Sequence, residues 1–230
     1  MQLRIDGVEV RYGTSKVLHG VSLAVNSGEV VTVLGRNGAG KTTTLKAIVG
    51  LVRPSRGRVC FDGADMTRAA PHTRARSGLG YVPQDRLVFA NLSVGDNLRA
   101  VASRSFQSWE WIFELFPVLK ERFGQKAGTL SGGEQEMLAI ARALITDPSV
   151  ILMDEPSTGL MPSVLRRLAE VIRELRDRGV GVLLVEEKVP FALEVASRAY
   201  VLETGQIVFE GGVEQLSEAD LLVRHLGVRA

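Results

Sequence analysis

Two segments near the start, residues 3–11 and 17–25, alternate apolar and polar positions, the period of antiparallel strands with one solvated face. Residues 30–34 then run Val-Val-Thr-Val-Leu without a charge, as a strand covered on both faces does, and residues 42–50 read as a helix. Residues 58–61, stopped by Asp62-Gly63, and 80–82 read as further short strands. From 93 to about 146 the chain is helical in period and poor in β-branched residues. Buried-strand runs return at 150–153 and 180–185, separated by an amphipathic helix over 162–178 with Pro162 in its tolerated first turn. Residues 200–202 and 206–209, joined across Thr204-Gly205, close the pattern as a hairpin. Strands alternating with helices, behind an antiparallel lead-in and around a helical block, predict a mostly parallel α/β core with a helical subdomain.

Composition adds exclusions. The 230 residues carry 28 basic and 26 acidic side chains, a formal charge of +2 that gives no electrostatic footprint for nucleic acid or an anionic membrane. Cys60 is the single cysteine, which excludes an intrachain disulfide and a cysteine-built metal site and fits a reducing compartment. The opening residues alternate like a strand rather than reading as a signal peptide, and no apolar run approaches the ~20 residues of a membrane helix. A membrane process served by this chain needs another chain to cross the bilayer.

Chemistry enters after the first buried strand. Gly35-Arg36-Asn37-Gly38-Ala39-Gly40-Lys41-Thr42, followed by Thr43, is a complete phosphate-binding loop of the Walker A pattern. Its glycines let backbone N–H groups cradle phosphates, Lys41 brings a point charge to the β/γ-phosphates, and Thr42 offers a hydroxyl to Mg²⁺. With a strand before it and a helix after it, the loop predicts binding of ATP or GTP. Residues 150–155, Val-Ile-Leu-Met-Asp-Glu, put two carboxylates at the carboxyl end of a buried strand, where ligands of open α/β sheets sit. Asp154 is placed to hold Mg²⁺ and Glu155 to orient or deprotonate an attacking water. Leu130-Ser131-Gly132-Gly133-Glu134-Gln135 opens a helix; Ser131 and Glu134 have capping-box spacing, but a cap does not need two glycines. Paired glycines there allow close approach of a backbone, and with Ser131 they form a second anion-accepting helix N-terminus.

Taken together, the phosphate loop, the Leu-Ser-Gly-Gly-Glu-Gln stretch and the strand ending in Asp154-Glu155 resemble the nucleotide-binding subunit of an ABC transporter, over essentially the whole chain. The resemblance implies a P-loop NTPase core with an N-terminal antiparallel β-subdomain, spanning 1–85 and 147–230, and a helical subdomain over 86–146. It implies that Tyr12 stacks on adenine and that Gln84, in Tyr-Val-Pro-Gln, contacts Mg²⁺ and water and reports to the membrane subunit. It further implies that Ser131, Gly132 and Gly133 act in trans, on ATP held by Lys41 of a second subunit, identical or sister, in a head-to-tail dimer. Transmembrane permease subunits and, indirectly, a solute-binding protein complete the implied assembly at the cytoplasmic face of the membrane.

Within the family, Glu114-Leu115-Phe116-Pro117 and Ala127-Gly128-Thr129 resemble the branched-chain amino-acid uptake subunits, with urea and short-amide uptake relatives as the rival. Trp109, Phe113 and Phe116 would share one face of a helix and Trp111 and Leu115 another, either as a well-buried helix or as a socket for the permease. Two positions depart from the family pattern. Met161 stands where an aspartate commonly follows Ser-x-Gly-Leu. Glu187, in Val-Glu-Glu-Lys, stands where a histidine commonly meets the γ-phosphate. These departures keep open a slow-hydrolysing nucleotide switch; a soluble ABC-type ATPase acting on DNA or ribosomes would usually bring a second cassette, a coiled coil or a basic arm.

Overall fold

The computed structural model describes residues 2–102 and 109–218. Among these residues, ten strands form two sheets. β1 (Gln2–Tyr12), β2 (Ser15–Asn26), β4 (Arg56–Phe61) and β5 (Ala64–Asp65) make an antiparallel sheet in the order β2-β1-β4-β5. The second sheet runs β10-β9-β3-β8-β7-β6, built from β3 (Val30–Leu34), β6 (Leu79–Val82), β7 (Val150–Asp154), β8 (Gly181–Glu186), β9 (Arg198–Glu203) and β10 (Gln206–Gly212). All its neighbours are parallel except the β9–β10 hairpin. The apolar runs become β3, β7 and β8 because both their faces are covered. Alternate side chains separate accordingly. Val31, Val33, Leu152, Leu183 and Val185 pack toward the antiparallel sheet and α1 (Lys41–Val49), while Ile151, Met153, Val182 and Leu184 pack on the opposite face.

That opposite face is covered by α6 (Gly132–Leu144) and α7 (Pro162–Asp177), with α3 (Val94–Arg99), α4 (Trp109–Leu115) and α5 (Pro117–Glu121) packed beyond them. Three short helices have no counterpart in the pattern reading: α2 (Pro71–Arg76), α8 (Val189–Val195) and α9 (Val213–Glu218). The helical block is also more broken than its periodicity suggests, and its stretch 103–108 lies outside the described residues. Phe116 does not share a helical face with Trp109 and Phe113. Pro117 disfavours helical backbone in the residue before it, and Phe116 sits at φ −133°, ψ 70° between α4 and α5, buried in the core. Trp109 and Phe113 stack on each other at 6.3 Å, and Phe113 meets Phe123 edge-on at 5.8 Å.

The strand register decides where chemistry can occur. Leu34 pairs with Glu186, Asp154 with Val185, and Val82 with Met153, so four parallel strands end level with one another. The segments that follow β3, β6, β7 and β8 therefore emerge along one sheet edge, the edge at which doubly wound sheets bind ligands. From the other side, the β9–β10 turn props the phosphate loop: the Gly205 N–H donates to the Ala39 carbonyl at 2.8 Å. Among the described residues no helix is long and apolar enough to cross a membrane.

Candidate active site

The phosphate loop leaves β3 with Arg36, Asn37 and Gly38 exposed at its tip, and returns to the core at Ala39. Gly40 caps α1 at φ +107°, a conformation side chains rarely adopt, and lies against Leu18 of β2. Lys41, the first residue of α1, is buried under its own loop. Its ammonium donates to the Gly35 carbonyl at 2.9 Å and the Arg36 carbonyl at 3.3 Å, and forms an ion pair with Glu155 Oε1 at 3.0 Å. The Thr42 hydroxyl donates to Asp154 Oδ1 at 3.0 Å; Thr43, next along α1, is half-buried.

The end of β7 supplies the carboxylates. Burial, with the Glu155 charge beside it, pushes the Asp154 carboxyl above its usual range, and hydrogen bonds from Thr42 and Tyr81 oppose that shift. The Tyr81 hydroxyl lies 3.4 Å from Asp154 Oδ2, and burial together with that carboxylate pushes the phenol up. Glu155 turns out of the strand at φ +51°, held by its N–H on the Val185 carbonyl. A non-glycine residue in that conformation is a mark of a position fixed by its surroundings. The Gln84 amide, following β6, donates to Glu155 Oε2 at 3.0 Å, so Lys41 and Gln84 hold one oxygen each.

Behind Glu155, the buried carboxylate of Glu186 accepts from Ser157 N–H at 3.0 Å and Ser157 Oγ at 2.8 Å, and Lys188 donates to the Ser157 carbonyl at 2.9 Å. The turn carrying Glu155 is thus pinned to the end of β8. Glu187, next along, is exposed and accepts from Asn37 Nδ2 at 3.0 Å, which places it against the phosphate loop.

Lys41, Thr42, Gln84, Asp154, Glu155, Asn37 and Glu187 are therefore brought together. Ser131 and Gly132 are not: they are exposed at the start of α6, where Ser131 and Glu134 form a reciprocal capping box. Gly133 lies where a side chain would meet Val164 of α7 at 3.0 Å, so helix packing explains one of the two glycines. Tyr12 is 48% exposed at the β1–β2 hairpin tip, beyond the β2 residues that touch Gly40. Met161 is exposed at the N-cap of α7 and makes no side-chain cap, where an aspartate could have made one. Sequence reasoning passed over Tyr81, Ser157, Glu186, Arg86 and Glu136, although a charge at the end of a strand buried on both faces, as Glu186 is, requires a partner.

The model of the ABC transporter family matches residues 18–158, which include the phosphate loop, the signature stretch and Asp154-Glu155. The chain belongs to the ABC transporter family. As an ATP-binding cassette of that family it is an ATPase whose turnover is coupled to transport. The cassette is 42% identical to the high-affinity branched-chain amino acid transport ATP-binding protein BraG of Pseudomonas aeruginosa, over 98% of this chain and 99% of the relative. It is 38% identical to the lipopolysaccharide export system ATP-binding protein LptB of Haemophilus influenzae, over 96% and 95%. Among solved structures it resembles an ABC transporter cassette in its ADP conformation, at 30% identity and TM-score 0.82, covering 96% of this chain and 97% of that one. A nucleotide-free cassette gives 28% identity and TM-score 0.85, with complete coverage of both chains.

Proposed function

We propose that this cassette is the ATP-hydrolysing subunit of an importer for branched-chain amino acids, peripheral to the cytoplasmic face of the membrane. On this reading two cassettes, identical or sister, pair head to tail beneath permease subunits that receive solute from a binding protein. The observation that carries the catalytic part is the placement of Glu155 between Lys41 and Gln84, beside Asp154 on Thr42. The match to BraG along nearly the whole of both chains supports the solute class.

The chemistry follows from this arrangement. Backbone N–H groups of 36–41 at the start of α1 and the Lys41 ammonium take the β- and γ-phosphates. Glu155 accepts the proton of a water as its oxygen bonds to the γ-phosphorus; the bond to the β,γ-bridging oxygen breaks, and ADP and inorganic phosphate leave. Gln84 orients that water. Hydroxyl, carboxylate and amide oxygens form the hard donor set that suits Mg²⁺, so Thr42, Asp154 and Gln84 would hold the ion, which when bound neutralises charge developing on the phosphates. Tyr12 is the surface against which adenine stacks. Ser131, Gly132 and Gly133, at the start of α6, face the nucleotide of the second cassette.

Deleting the gene should abolish high-affinity leucine uptake, and restoring the wild-type chain, but not Glu155→Gln, should return it. Intact leucine uptake with loss of lipopolysaccharide from the cell surface would support the export reading that the LptB likeness favours. Intact leucine uptake with loss of urea or short-amide uptake would assign the other import branch.

A further inference from the structure

We propose that Arg86 is a positioning residue that ties the catalytic carboxylate to the signature helix. Its guanidinium bridges Glu136, in the second turn of α6, and the Thr158 carbonyl, in the turn that Glu155 opens. Arg86 Nε donates to Glu136 Oε2 at 2.9 Å, and a terminal nitrogen reaches the Thr158 oxygen at 3.4 Å. The same guanidinium lies against Gly132, within 3.2 Å of where a side chain would begin. One side chain therefore touches the signature, the helix behind it and the loop of the catalytic carboxylate.

The backbone around Arg86 is set for this task. Arg86 and Leu87 are consecutive non-glycine residues with left-handed φ of 58° and 48°. Such conformations persist where the surroundings over-determine them. Here the fastening comes from α6 a second time: Arg142 donates to the Leu87 carbonyl at 2.7 Å and lies over the Phe89 ring. At the other end of the segment, Gln84 donates to Glu155. Residues 84–89 therefore run from the catalytic carboxylate to α6 with a charged fastening at each end.

Glu136 makes the Arg86 contact specific. It is 4% exposed, and Arg86 is its one ion-pair partner among the described residues. Burial pushes its carboxyl up to about 7, Glu186 adds to the rise, and Arg86 opposes it. Displacing Arg86 would take from Glu136 its ion pair and drive the buried carboxyl to take up a proton, so the contact couples the segment after Gln84 to α6. Because Ser131 caps the start of α6, a change at Glu155 is transmitted to the surface offered to the second cassette. This inference rests on the paired-cassette reading above.

The test uses the assembled transporter and compares wild type with Arg86→Gln, Glu136→Gln and the double variant. Each single change should lower ATP turnover roughly 5- to 30-fold and bring the Hill coefficient for ATP from about 2 toward about 1. ATP affinity of the lone cassette should stay unchanged, and the double variant should fall no further than the singles. Arg86→Lys keeps a charge beside Glu136, so should preserve the fold, but it loses the second arm to Thr158. An intermediate Hill coefficient is expected for it. Additive losses, or a wild-type coefficient of about 2 that survives in the variants, overturn the role of Arg86 alone. A wild-type coefficient of about 1 overturns both it and the paired-cassette reading.

Discussion

Substituting Glu155 by glutamine tests two properties of the site together. Lys41 and Glu155 are 3.0 Å apart and more than nine-tenths buried, yet Lys41 must reach the β/γ-phosphates when ATP binds. Coulomb attraction at that separation is about 5 kcal/mol with an effective dielectric near 20, most of it offset by desolvation of the two charges. A charge-assisted hydrogen bond nets about 1.5–3 kcal/mol against about 1 kcal/mol for the neutral bond that glutamine can still accept. The difference, roughly 1–2 kcal/mol, opposes the transfer of Lys41 to phosphate in the wild type and vanishes in Glu155→Gln. Titration with a fluorescent ATP analogue in Mg²⁺ should therefore show binding tightened about tenfold. Single-turnover hydrolysis should fall about 10²–10⁴-fold with the base removed, and size exclusion should show ATP-trapped dimers. Tenfold weaker binding would refute the competition for Lys41, and wild-type turnover would remove Glu155 from the chemistry.

Three further outcomes follow from other contacts. Ser131→Arg puts a bulky cation at an exposed helix start that lies apart from this chain's own phosphate loop, so ATP binding to the lone cassette should be unchanged while dimers fail to form; size exclusion with MgATP and Glu155→Gln as background checks it. Glu187→Gln keeps an acceptor for Asn37 and removes a carboxylate from beside a polyanion, so MgATP binding should be unchanged or up to about tenfold tighter and hydrolysis retained; lost turnover with intact binding would show that this carboxylate does chemistry. Arg74 of α2, buried against the end of α1, donates to the carbonyls of Ala47, Ile48, Thr67 and Ala69. Arg74→Met should cost about 3 kcal/mol and lower Tm by roughly 6–12 °C in a thermal melt, since four carbonyls lose their donor at once.

What the sequence discloses and what it conceals divide along physical lines. Strands buried on both faces announce themselves as unbroken apolar runs, so β3, β7 and β8 were legible, and each carries part of the site at its end. The short helices α2 and α8 were not, because six or seven residues hold too few turns to display a period, although Pro71 and Pro190 mark their first turns. Phe116 shows the reverse error: its spacing from Phe113 suggested a shared face, and Pro117 had already excluded it. The residues proposed to bind phosphate were readable from motif spacing. Those that fasten the motifs together, Arg86 to Glu136 and Glu186 to Ser157, were not, since each pair joins residues distant in the chain.

The strand order has a consequence for how the enzyme comes into being on the ribosome. β8 lies between β3 and β7, so Lys41 and Glu155 reach 3.0 Å only with Gly181–Glu186 inserted between the strands that carry them. Glu155, the last candidate site residue before that strand, emerges from the ribosome about 30 residues ahead of its end, a lag of roughly 2–6 s at ordinary elongation rates. Through that interval the nascent chain holds a phosphate loop and a carboxylate pair with an unfilled slot between apolar strand edges, a template for mispairing with neighbouring chains. The prop from Gly205 to the phosphate loop arrives later still. A nascent cassette thus acquires ATP affinity late and abruptly, when β8 enters, and any pause that delays the emergence of residues 181–186 lengthens its exposure to aggregation.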